Sequence, residues 1–185
     1  MKIEKKWILT DRQLCDCQMI LDGSFHPLKR FMTKNDYSAV IDDMRIESGE
    51  LFPIPIVLDV NKSFSKDLKI GEKIFLQNKE GFIIAKMTVE SMWEPDLEKE
   101  AKLVYKTTDS LHPAVDFLFK LIEPVYLGGA IEQINKPNYY DYNQYRLSPK
   151  KVKAFFVEMG WTKIVAFQTR NPMHKAHVEM TIKSI

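Results

Sequence analysis

The chain has 185 residues, 45% of them hydrophobic, with 27 basic against 25 acidic side chains and a net charge of +2. That length and apolar content suit one large globular domain, or one domain and part of another. The near-neutral balance excludes the broad positive field with which nucleic-acid binders collect phosphates, so no nucleic-acid partner is expected and any anion site must be local.

The first six residues, Met1 to Lys6, are charged and lead into no apolar signal segment, and nowhere do 18 apolar residues run together. A cytoplasmic, reducing location without membrane attachment is expected. Cys15 and Cys17 lack the spacing of a CxxC redox or zinc motif, and read as free buried thiols. Up to about Lys34 the chain reads as short helical turns and loops. From Asn35, a plausible N-cap, Tyr37, Val40, Ile41 and Met44 share one helical face, closed by a turn at Gly49.

From Leu51 the pattern changes to strand. Ile54, Ile56, Val57, Leu58 and Val60 are interrupted by Pro53 and Pro55, which belong at strand starts and edges. Strand signal resumes over 73–77 and 82–92, around a tight turn at 78–81. Several short strands with polar turns predict a small β-barrel. Helices are expected over 97–105 and 111–119, then a last strand from Val125 to Leu127 that stops at Gly128-Gly129.

Residues 135–143, with Pro137 and three tyrosines, show no period and read as a linker between domains, which are expected at 1–140 and 141–185. Helical period follows: Ser148 is a good N-cap, Pro149 suits the first helical position, Val152, Phe155, Phe156 and Met159 repeat at helical spacing, and Gly160 ends the run. The apolar stretch Ile164-Val165-Ala166-Phe167 then reads as a strand covered on both faces in a parallel sheet. Helix, buried strand, polar loop and helix are the beginning of an α/β domain.

Gln168-Thr169-Arg170-Asn171 falls at the carboxyl end of that expected strand, where doubly wound sheets bind their ligands. Asn171 is available as N-cap and Pro172 fits the first turn of the next helix, whose free N–H groups and partial positive charge suit a phosphate or sulfate. Arg170 can hold a tetrahedral oxyanion through two parallel charge-assisted hydrogen bonds, and Gln168 and Thr169 can donate more. His174 and His177, three apart, fall on one helical face. Singly, each has a plainer reading: a surface ion pair for the arginine, structural hydrogen bonding for the histidines. A zinc pair is also open, although helical metalloproteases place their histidines four apart beside a glutamate. The coincidence of these residues favours an anion site.

The run from Val165 to His177 resembles the nucleotide-binding signature of the ATP sulfurylase family. So do Arg12 to Asp16, Gly23-Ser24-Phe25, Pro27-Leu28, Phe31-Met32, Asp42 to Arg45, Pro53 to Ile56, Asp109 to Val115 and Gly128-Gly129. The resemblance implies an α+β protein: a PUA-like β-barrel domain with flanking helices, followed by the first helix-strand-helix of a Rossmann-like nucleotidyltransferase domain. It implies that Thr169, Arg170 and Asn171 form the active-site trio and that Gln168 and Arg170 hold sulfate. Arg170, Asn171, Pro172, Met173, His174 and His177 would then contact ATP. The expected reaction joins sulfate to the adenylyl group of MgATP, with Mg²⁺ carried on the nucleotide and no protein metal site. A homo-oligomer is expected. Relatives' later motifs have no counterpart by Ile185, so the 185 residues alone are expected to be an inactive piece with an apolar helix stripe prone to self-association. Two rival readings are an RNA-binding PUA-like module without catalysis and a nucleotidyltransferase for another acceptor.

Overall fold

Most helix starts carry a short polar side chain that accepts an otherwise orphaned backbone N–H. In the computed structural model, which describes residues 4–137 and 139–184, Thr10 caps α1 (Asp11–Leu21), and Gln13 returns the bond by accepting the Thr10 N–H at 3.1 Å. The segment read as short turns thus holds an 11-residue helix with a reciprocal cap. Thr33, not Asn35, caps α2 (Lys34–Asp43). Asn61 caps α3 (Lys62–Ser65) and Asp96 caps α4 (Leu97–Glu100). The helix expected over 97–105 changes after one turn into a π-helix, Ala101–Tyr105. Pro113 opens α5 (Pro113–Lys120), two residues later than expected, with His112 as N-cap.

The strands are β1 (Lys6–Ile8), β2 (Arg30–Phe31), β3 (Leu58–Val60), β4 (Lys73–Gln77), β5 (Ile83–Thr88), β6 (Ser91–Trp93) and β7 (Val125–Gln133). They form a mixed sheet in the order β1-β4-β5-β7-β2, with β3 and β6 also paired to β7. Only β1 and β4 run parallel among these pairs. The sheet curls as a half-barrel because one strand, β7, serves four partners: β3 and β6 early, β2 at Gly129 and Ala130, and β5 at its end. The expectation that the strand stops at the glycines fails here. A Cβ on Gly128 would lie 2.1 Å from the Met32 carbonyl oxygen, and one on Gly129 1.9 Å from that of Thr88. The glycines let β7 pass between two backbones.

The alternating side chains of β4 and β5 bury Ile74, Leu76, Ile84 and Met87 against Leu9, Phe31, Met32, Leu58 and Leu127. Each such side chain contributes about 1.5–3 kcal/mol by leaving water. A smaller cluster of Ala101, Val115 and Leu118 holds α5 to the π-helix.

Two polar networks lock helices to this frame. Asp59, on β3, accepts from the Arg12 guanidinium, from Gln13 Nε2 at 2.8 Å and from the Glu123 N–H at 3.0 Å, while Arg12 also grips Asp16 at 2.6 Å. Glu100, at the end of α4, accepts the hydroxyls of Tyr37 and Tyr126 at 2.9 and 3.2 Å. Burial raises the Glu100 carboxyl above the usual carboxylate range despite these hydrogen bonds, which act in the opposite direction. Cys15 and Cys17 do not share an environment, contrary to the expectation of two buried thiols. Both lie on α1, Cys15 exposed and Cys17 buried, the latter pushed up to about 12 by burial and then by Asp16.

The chain divides into two compact units, 1–143 and 144–185. In the second, Ser148 caps α6 (Pro149–Glu158), Pro149 occupies its first turn, and Gly160 ends it in a left-handed conformation at φ 66°. Of the expected packing stripe, Val152 and Phe156 are half-buried, whereas Phe155 and Met159 are exposed. The indole of Trp161 stacks on Phe156 with centroids 6.0 Å apart. Residues 164–167 are not a strand. A strand exists only through hydrogen bonds to a neighbour, and the described residues of this unit contain no other strand to supply them.

Candidate functional site

The segment from Gln168 to His177 leads into α7 (Lys175–Lys183), which starts later than the sequence suggests. His174 is the N-cap, so Asn171 does not cap the helix and Pro172 lies before its first turn. Thr169 explains the difference. Its hydroxyl accepts the Asn171 N–H at 3.1 Å and donates to the Asn171 carbonyl at 2.9 Å, folding 169–171 into a local turn that competes with helix.

The two histidines do come together. His177 sits at the third helical position, its Nδ1 accepts the His174 N–H at 3.4 Å, and the two ring centroids are 5.5 Å apart. Phe167 packs against His177 with centroids at 5.6 Å, a contact missed in the sequence because Phe167 reads as a buried strand residue. Gln168, Arg170, Pro172 and Met173 stand exposed beside these pairs and enter neither.

Chemically, this is a short stretch rich in donors. It offers a guanidinium, an ammonium, two carboxamides, two imidazoles and the first N–H groups of a nine-residue helix, with no carboxylate between Thr169 and Val178. The helix start and the guanidinium favour the same ligand, a tetrahedral oxyanion. Among the described residues, no group of three His, Cys, Asp or Glu side chains could hold a metal ion, and no helix is long and apolar enough to cross a membrane.

A concavity of about 620 Å³ lies in the first unit between the turn carrying Asn78, Lys79 and Glu80 and a wall formed by Pro137, Tyr139 and Tyr140. Two lysines line it, Lys79 and Lys136, and Lys79 is paired with Asp11 at 2.6 Å. The cleft carries no convergent set of reactive groups.

The half-barrel has a family. The chain belongs to the PUA-like domain family, whose model matches residues 2–136. The remainder, 143–185, matches the ATP-sulfurylase family. Among curated relatives, the chain is similar to the sulfate adenylyltransferases of Schizosaccharomyces pombe and Eremothecium gossypii. It is 42% identical to the first over 181 residues, 97% of this chain and 37% of the relative. To the second it is 44% identical over 179 residues, 97% and 36% of the two chains. A solved structure described as a hexameric APS kinase from Thiobacillus denitrificans superposes with a TM-score of 0.77 at 27% identity, covering 98% of this chain and 32% of that one. The chain thus spans about a third of the length of the relatives it matches.

Proposed function

We propose that this chain carries the first wall of a sulfate adenylyltransferase site. Its residues 1–140 would form a PUA-like domain, and 141–185 the beginning of a Rossmann-like catalytic domain. The observation that carries the reading is the donor-rich stretch 168–177, lying inside the segment that matches ATP sulfurylases.

In that reaction a sulfate oxygen forms a bond to the α-phosphorus of ATP while the bond from that phosphorus to the β-phosphate oxygen breaks. Adenosine 5′-phosphosulfate and pyrophosphate result. Sulfate is already fully ionised, so no proton has to be removed from it. The difficulty is to hold two anions in line and to stabilise charge that moves onto the leaving pyrophosphate. Arg170 and Gln168 would bind sulfate, Arg170 facing both anions. Thr169 and Asn171 fix the turn that presents Arg170. His174, His177 and the backbone at Pro172 and Met173 would receive the ATP phosphates at the start of α7. A Mg²⁺ ion arriving with the nucleotide would neutralise phosphate charge. The hexameric neighbour supports a homo-oligomeric assembly.

Replacing Arg170 by alanine in the longest chain that encodes this segment tests the reading. Sulfate-dependent pyrophosphate release should fall by about 10²–10³, the range for losing one preorganised transition-state donor. Turnover retained within a factor of two or so would remove the assignment.

A further inference from the structure

We propose that the cleft in the first unit binds a small aromatic monoanion, one or two flat rings bearing a single carboxylate or sulfate ester. Its volume of about 620 Å³ falls within the range of about 300–1,000 Å³ that small-molecule sites occupy. The inference does not rest on the function read from residues 168–177.

Both walls of the cleft are held in place without a ligand. In the turn between β4 and β5, Asn78 Oδ1 accepts the N–H groups of Glu80 at 3.1 Å and Phe82 at 2.9 Å. That fixes where Phe82 stands. On the opposite side, Asn135 donates through Nδ2 to the Ile83 carbonyl at 2.7 Å and through its N–H to that of Ile84 at 3.1 Å. The Tyr139 hydroxyl donates to Gln18 Oε1 on α1 at 2.6 Å. A cleft shaped in advance loses little freedom when it is filled.

The lining defines the ligand. Leu9 and Ile84, each 1% exposed, supply an apolar floor, while the rings of Phe82 and Tyr140 are 60% and 92% exposed. Two aromatic side chains open to water above an apolar floor suit a flat ring that covers them. Charge narrows the choice further. Asp11 and Glu80 offset Lys79 and Lys136, so the cleft has no net field to draw in a polyphosphate. Lys79 is taken by Asp11, and Glu80 Oε2 accepts from Asn78 Nδ2 at 3.5 Å. Lys136 has no ion pair or hydrogen bond among the described residues. One uncommitted ammonium at the edge of an aromatic cleft calls for one negative charge on the ring. Tyr139 and Tyr140 belong to the segment read as a linker, so an occupied cleft fastens that segment to α1.

The test titrates naphthalene-2-sulfonate into the 185-residue chain at low protein concentration. Saturable one-to-one binding is expected, with nuclear Overhauser contacts from the naphthalene ring to the Ile84 methyls and the Tyr140 ring. The neutral naphthalene methanol and the aliphatic hexanesulfonate should each bind roughly tenfold more weakly, since each lacks one of the two recognised features. Lys136→Met and Tyr140→Ala should each weaken the probe by a similar factor and leave the thermal midpoint unchanged, because both side chains are exposed. Equal affinity in either variant would overturn the proposal. So would equal binding of hexanesulfonate, tighter binding of a naphthylmethylammonium cation, or displacement of the probe by inorganic sulfate. Contacts from the ring only to Met180 and Ile182, the apolar residues exposed on α7, would also overturn it.

Discussion

At the scale of single residues, Asp59 has the most to lose. Its carboxylate is 4% exposed and receives Arg12, Gln13 and the Glu123 N–H together. Asp59→Ala would leave the guanidinium and the Gln13 amide without their acceptor, and should cost about 3 kcal/mol or more, as for other broken buried pairs. A lower urea midpoint with an unchanged slope would confirm it. Glu100 behaves in the opposite sense. Burial keeps its carboxyl protonated more readily in the folded state than in the unfolded chain, so the native state binds more protons and stability falls as pH rises from the ordinary carboxylate range through the raised folded value. Glu100→Gln, which keeps an oxygen for Tyr37 and Tyr126, should flatten that decline and be relatively most favourable at neutral pH. Urea midpoints across pH would show it; an unchanged pH slope in the variant would contradict it. Neither network was legible in the sequence. Arg12 and Gln13 lie 47 and 46 positions from Asp59, and no local pattern announces which polar residues the fold will bury together.

At the scale of elements, legibility follows how far apart the causes lie. Ser148, Pro149 and Gly160 are read correctly because a cap is satisfied within three or four residues of itself. Lys73–Gln77 is found because its β-branched and aromatic residues and the turn at 78–81 that bounds it are local signals. Gly128 and Gly129 mislead, because glycine marks turns and close backbone approaches alike, and only the position of Met32 and Thr88 decides between them. Gly128→Ala should therefore destabilise strongly, by at least about 3 kcal/mol, at the upper end of overpacking costs. A drop of many degrees in the thermal midpoint is expected, and an unshifted melt would mean that β2 and β7 can separate at little cost. Helix α7 misleads for another reason. The Thr169 hydroxyl takes the Asn171 backbone, so the competing turn delays helix until His174.

At the scale of the whole chain, the signature at 165–177 carries the family in its order of side chains, while the strand read at its start does not form. Ile164, Val165 and Phe167, expected in a covered strand, are 48%, 63% and 39% exposed. The second unit also leaves Val157, Trp161, Met180 and Ile182 open to water. The 185-residue chain should consequently self-associate as its concentration rises, which light scattering would detect as a growing mass; a constant monomer mass would argue against it. The first unit contains its own reporter. With the thiol at 15 open to solvent and its neighbour at 17 sealed under α1, a thiol-modifying reagent should add one mass increment at once. The second should appear only when the helix lifts from the sheet, so a mass spectrum taken over time would clock that opening without any introduced label.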